Sequence, residues 1–134
     1  KEVYVAEISS FQLDDIKDFR AEVAVLTNIT EDHLDRYEYK FENYIKAKFK
    51  ITANQTADDV FIYCADDPVT MKYLKNQNIK SNPLPFTMNH EQQKGAFIKD
   101  GTMTIAVNDD KLTMSVDDFK IKGKHNQYNT MAAG

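Results

Sequence analysis

The chain has 134 residues, 42% hydrophobic and 28% charged, which is the make-up of a globular domain and argues against a disordered tail. Its 17 Lys and Arg against 21 Asp and Glu leave a net charge of −4, so the basic footprint that broad nucleic-acid binding needs is missing. No apolar run approaches the roughly 20 residues of a membrane-spanning helix. A single cysteine, Cys64, excludes an internal disulfide framework and a Cys-based zinc site, and fits a reducing cytoplasm.

In chain order, Val3-Tyr4-Val5-Ala6-Glu7-Ile8 is a strand-like apolar run with no cap before it. Val23–Leu26 is a second, nearly continuous apolar run closed by Thr27-Asn28. Apolar periodicity predicts a helix from Phe41 to about Thr52. Val60–Cys64 reads as a third buried strand. Asp67 as N-cap and Pro68 in the first turn then start a helix that fades near Asn76. Continuous apolar strands separated by helices predict a parallel sheet covered on both faces. Asn82-Pro83-Leu84-Pro85 is expected not to be a central strand, because proline cannot donate to a ladder. Asn89 to Gly95 is polar and reads as an exposed loop. Ala96–Lys99, Thr102–Val107 and Leu112–Val116, separated by Asp100-Gly101 and Asn108–Lys111, predict a small antiparallel meander. His125 onward starts a helix that stops at Gly134, and both ends read as cut from a longer protein. The expected fold is α/β, a parallel sheet with flanking helices plus the meander, in one domain without internal repeats.

Ligands of open α/β sheets collect beyond the carboxyl ends of the strands. Those ends carry Glu7-Ile8-Ser9-Ser10-Phe11-Gln12, then Thr27 to Arg36 with Asn28, Glu31, Asp32, His33 and Asp35, then Ala65-Asp66-Asp67. Ser-Ser is also ordinary turn chemistry, and Asp-Asp before a helix an ordinary cap. The loop around His33 is richer, with an imidazole, three carboxylates and a guanidinium within six residues. On the predicted helix, Phe41, Tyr44, Ile45 and Ile51 share a face, and Lys48 falls in the middle of it. Such a lysine either snorkels out along the edge or is kept neutral for chemistry. A neutral amine can take up carbon dioxide as a carbamate, an anionic oxygen ligand suited to Mg²⁺.

Three runs, Glu7-Ile8-Ser9-Ser10-Phe11-Gln12-Leu13, Thr27-Asn28-Ile29-Thr30-Glu31-Asp32-His33-Leu34-Asp35-Arg36-Tyr37 and Gly123-Lys124-His125-Asn126-Gln127-Tyr128-Asn129-Thr130-Met131-Ala132-Ala133, resemble successive motifs of the Mur ligases. Tyr44 to Ile51 is similar to that family's helix with a carbamylated lysine. The Ser-Ser-Phe-Gln run and the Asp-Arg-Tyr ending look most like the members that add D-glutamate to UDP-N-acetylmuramoyl-L-alanine. The resemblance implies the later part, residues 1–134, of a central ATP-binding domain, without the N- and C-terminal domains. The family's Gly-rich phosphate loop is absent, since the sequence holds no G-x-x-x-x-G-K-[ST]. The fragment alone is therefore expected to be inactive.

By the same resemblance, Glu7 would help hold Mg²⁺ near the ATP γ-phosphate. His33 and carbamylated Lys48 would hold a second Mg²⁺. Ser9, Gln12 and Asn28 would lie along the UDP-muramoyl substrate, and His125, Asn126 and Asn129 would sit at the adenine. The implied parent is a cytoplasmic monomeric ligase that uses ATP and Mg²⁺ and needs neither nucleic acid nor membrane. Alternatives are another Mur ligase or a folylpolyglutamate synthase, a metal-dependent phosphohydrolase built on Glu31-Asp32-His33, and a non-catalytic module.

Overall fold

A computed structural model describes residues 2–32 and 34–134. Six strands, β1 (Val23–Leu26), β2 (Val60–Cys64), β3 (Asn82–Thr87), β4 (Gly95–Lys99), β5 (Thr102–Val107) and β6 (Asp110–Ser115), lie side by side in chain order in one sheet. The pairs β1–β2, β2–β3 and β3–β4 are parallel, while β4–β5 and β5–β6 are antiparallel. The expected parallel core and meander are thus one mixed sheet. Both reversals are two-residue turns whose first residue has positive φ: Asp100 and Gly101 (49° and 73°) and Asn108 (54°) before Asp109.

Among the described residues four α-helices cover the sheet: α1 (Ser10–Asp14), α2 (Phe41–Phe49), α3 (Pro68–Leu74) and α4 (Lys124–Ala133). Side-chain alternation along β2 sorts them. Phe61, fully buried, points into a core with Ala24, Leu26, Ile29, Tyr37, Tyr44, Ala47 and Phe49, which is the α2 side. Cys64 points the other way, into a core with Phe86, Ala96, Met103, Ile105, Met131 and Ala132, which is the α4 side. The helix predicted from Phe41 ends as an α-helix at Phe49 and tightens into a 3-10 turn over Lys50–Thr52. On its outer face Glu42 accepts from Lys46 at 2.8 Å, the favourable i,i+4 order.

Two expectations are overturned. Val3–Ile8 is not a strand: Val3, Tyr4 and Val5 are 83%, 86% and 97% exposed and pair with no strand among the described residues. Apolar content alone does not make a strand, because the ladder has to come from a neighbour. Conversely, Asn82–Thr87 is a central strand despite Pro83 and Pro85. Asn82 donates to Asp59 O and Phe86 O accepts from Ala65, so the even residues face β2 and the prolines face β4. β4 pairs with β3 only at Phe86 and Thr87, past both prolines. The missing N–H groups fall where no ladder needs them.

Gly95 makes that junction possible. Its φ is +105°, and a Cβ there would lie 2.0 Å from the Pro85 carbonyl oxygen. Strand β1 also departs from the buried-strand expectation, since Ala24 and Leu26 are buried but Val23 and Val25 are 56% and 44% exposed.

Candidate active site

Ser9 immediately precedes α1, with the extended backbone of an N-cap. Gln12 Oε1 accepts from the Ser9 N–H at 2.9 Å and from the Ser9 hydroxyl at 2.8 Å. Two residues picked from the sequence for substrate contact are thereby locked together. With Oε1 engaged twice, the amide Nε2 is the group Gln12 has to offer a ligand.

Helix α2 lies against α1 and carries Lys48 into the same region. The Lys48 side chain is half-buried, with Nζ 5.4 Å from the centre of the Tyr44 ring. Tyr44 is itself buried. The aliphatic stem of a lysine can pack along an otherwise apolar face while its amine lies over an aromatic ring.

Glu7, Ser9, Ser10, Phe11, Gln12, Asp32, Tyr44 and Lys48 line a cleft of about 470 Å³. The Arg36 guanidinium lies over the ring of Phe11, one of the lining residues, 4.8 Å from its centre. Glu7 and Asp32 contribute carboxylates to the lining that Lys48 shares, and oxygen donors are what Mg²⁺ takes. A carbamate on Lys48 would add more of the same kind. The residues present fit that ion by donor chemistry, although no group of three His, Cys, Asp or Glu placed to hold a metal occurs among the described residues.

The other predicted site residues are distributed differently. His33 lies outside the described residues. Asn28 is exposed beyond the end of β1 and does not line the cleft. His125 and Asn126 stand in the first half of α4 and Asn129 just past its midpoint, on the opposite side of the sheet from α2. His125 and Asn129 are exposed, while Asn126 is half-buried and donates through Nδ2 to Lys122 O at 2.8 Å.

The Asp66-Asp67 pair, read from the sequence as helix capping, divides its labour. Asp67 caps α3, accepting from the Thr70 N–H at 2.9 Å and from the Thr70 hydroxyl. Asp66 does not cap. Its Oδ1 accepts from the Thr87 hydroxyl at 2.5 Å, and its Oδ2 from the Met88 N–H at 2.7 Å and the Tyr128 hydroxyl at 2.9 Å. Burial pushes the Asp66 carboxyl up, but the bonds from Thr87, Met88 and Tyr128 outweigh it and hold the group below the usual carboxylate range. Tyr128 is pushed up to about 12 by burial and then by the Asp66 carboxylate. This three-way junction of β2, β3 and α4 escaped sequence reading, because its partners are 21, 22 and 62 residues away.

Fold and cleft define an α/β domain that presents carboxylates, an amine and a hydroxyl to one ligand space, with a polar helix start on the far side of the sheet. The chain belongs to the Mur ligase family: the family model described as "Mur ligase middle domain" matches residues 1–134. Among curated relatives, a protein of Christiangramia forsetii named UDP-N-acetylmuramoylalanine–D-glutamate ligase is 47% identical over 130 residues, 97% of this chain and 29% of the relative. Proteins of the same name from Cytophaga hutchinsonii and Citrifermentans bemidjiense are 46% and 43% identical, over 99% and 96% of this chain and 30% and 28% of their own lengths. The chain therefore spans less than a third of the relatives it matches.

Proposed function

We propose that this chain is part of the central domain of an ATP-dependent UDP-N-acetylmuramoylalanine–D-glutamate ligase of peptidoglycan precursor synthesis. Because the chain covers 29% and 30% of such relatives, the activity is proposed for the full-length parent. The observation that carries the reading is the cleft that unites Glu7, Ser9, Gln12 and Lys48, in a chain whose relatives bear that name along nearly all of its length.

In the reaction, a carboxylate oxygen of UDP-N-acetylmuramoyl-L-alanine attacks the γ-phosphorus of ATP and expels ADP. The amine of D-glutamate then attacks the acyl carbon, expels phosphate and loses a proton. Phosphoryl transfer asks the protein chiefly for positioning and charge neutralisation. Ser9 and Gln12, already bonded to each other, orient the UDP-muramoyl substrate from the start of α1, with Asn28 further along it. Glu7, His33 and carbamylated Lys48 are the residues that would hold Mg²⁺, which when bound supplies positive charge to the phosphate oxygens. Asn126 and Asn129, with His125 beside them, present amide donors and acceptors to the adenine ring from α4. The reading includes a parent that works in the cytoplasm as a monomer.

The test is phosphate release by the full-length parent with ATP, Mg²⁺ and UDP-N-acetylmuramoyl-L-alanine. Release should depend on D-glutamate, and Lys48→Ala should lower kcat by about 100-fold or more. Release that depends on another amino acid moves the substrate to a sister ligase, and full activity of the alanine variant removes the carbamate role.

A further inference from the structure

Helix α4 is anchored unevenly. Its buried side chains, Met131 and Ala132, lie in its second half, inside the core formed with Cys64, Phe86 and Ile105. The first half carries Lys124, His125 and Asn126, which are exposed or half-buried, on a backbone that starts from Gly123 with no side-chain cap. Mid-helix, Tyr128 packs its ring 6.2 Å from Phe86 and directs its hydroxyl to Asp66 Oδ2 at 2.9 Å. Asp66 is fixed in turn by the Thr87 hydroxyl and the Met88 N–H at the end of β3. The hydroxyl of Tyr128 thus joins the polar half of α4 to the ends of two strands.

Helical spacing sets what that bond controls. Asn126 and Asn129 are three residues apart and share a face, whereas Tyr128 stands about 100° from Asn129 on the side turned to the sheet. A bond on the inner side of a helix fixes its rotation and its distance from the sheet. Those two quantities decide where amides on the outer side point.

We propose that Tyr128, held by Asp66, is a positioning residue for the nucleotide: it sets the orientation of the α4 face that carries Asn126 and Asn129 without touching the ligand itself. The inference rests on the assignment of that face to adenine. Removing the hydroxyl leaves the aromatic packing in place and releases the rotation of the helix start. The affected quantity is the affinity for ATP, while the cleft on the far side of the sheet keeps its shape.

The experiment uses the full-length parent enzyme with Tyr128→Phe, Asn126→Ala and Asn129→Ala, and measures KM and kcat for all three substrates. Tyr128→Phe should raise KM for ATP about fivefold, the effect of one lost hydrogen bond. KM for D-glutamate and for the UDP-muramoyl substrate should stay within about twofold of wild type, as should kcat. A merely structural bond would lower thermal stability without separating the KM values. If the asparagine variants raise KM for ATP and Tyr128→Phe does not, the positioning role is overturned and the adenine assignment stands. If the asparagine variants leave KM for ATP unchanged, the adenine assignment fails and the positioning role falls with it.

Discussion

Asp59 is 2% exposed yet ionised, and its surroundings explain why. The Arg20 guanidinium grips both oxygens, Nε to Oδ2 at 2.7 Å and Nη2 to Oδ1 at 2.8 Å, and the Thr56 N–H adds a bond of 2.6 Å to Oδ2. The Arg20 bond first, and the Thr56 backbone bond second, hold the carboxyl down at about 2. An unfolded aspartate titrates near 3.9, so the folded state gives up protons more readily. The clamp's stabilisation is complete above about pH 4 and is lost as pH falls through about 2. Denaturant titrations at successive pH values should show this loss in the wild type. In Arg20→Ala the folded and unfolded values draw together, so the loss across that window should shrink; an unchanged profile would remove the role of Arg20. Nothing in the sequence pairs residues 39 positions apart, and the same holds for Asp66 and Tyr128. The legible side chains were those with a local grammar: Asp67 before Pro68, and Lys48 seven after Phe41.

At the scale of elements, periodicity located α2, a continuous apolar run β2, turn residues β5 and the Asp67-Pro68 start α3, each within a few residues of its observed bounds. It failed where an element depends on what stands beside it. Val3–Ile8 has strand composition without a ladder, and β3 has a ladder despite its prolines because both face β4 ahead of the point where pairing begins. The junction of β3 and β4 therefore rests on Gly95. In Gly95→Ala, positive-φ strain combines with a Cβ 2.0 Å from a backbone oxygen, which the chain cannot move aside cheaply. The expected cost is about 2–4 kcal/mol. Gly101→Ala serves as the comparison. It also has positive φ, but its Cβ would meet only Val116 at 3.9 Å, so about 1 kcal/mol is expected. Equal melting temperatures for the two variants would show that the contact with Pro85 does not matter. The candidate site was legible to the extent that its residues are clustered in sequence. The division of those residues between two faces of the sheet was not, since face is a property of register.

For the whole molecule, the sheet is continuous but unevenly joined. Strands β1 to β3 and β4 to β6 are each paired along most of their lengths, whereas β3 meets β4 at two residue pairs, Phe86 with Ala96 and Thr87 with Phe97. Helix α4 packs on β2, β3 and β4 and so crosses that seam. Met131, 3% exposed, touches the core contributed from both sides of it. Met131→Ala should cost about 2–5 kcal/mol. Hydrogen exchange should then report loss of amide protection in β4–β6 ahead of β1 and β2, as two cooperative units. Uniform loss across the sheet would mean that the seam is no boundary. Because one helix both splints the seam and presents Asn126 and Asn129, ligand occupancy and local opening become linked equilibria. A molecule held at the start of α4 would slow exchange in the β5–β6 hairpin, which it never touches. The hairpin's amides then become a remote gauge of whether the proposed nucleotide site is filled.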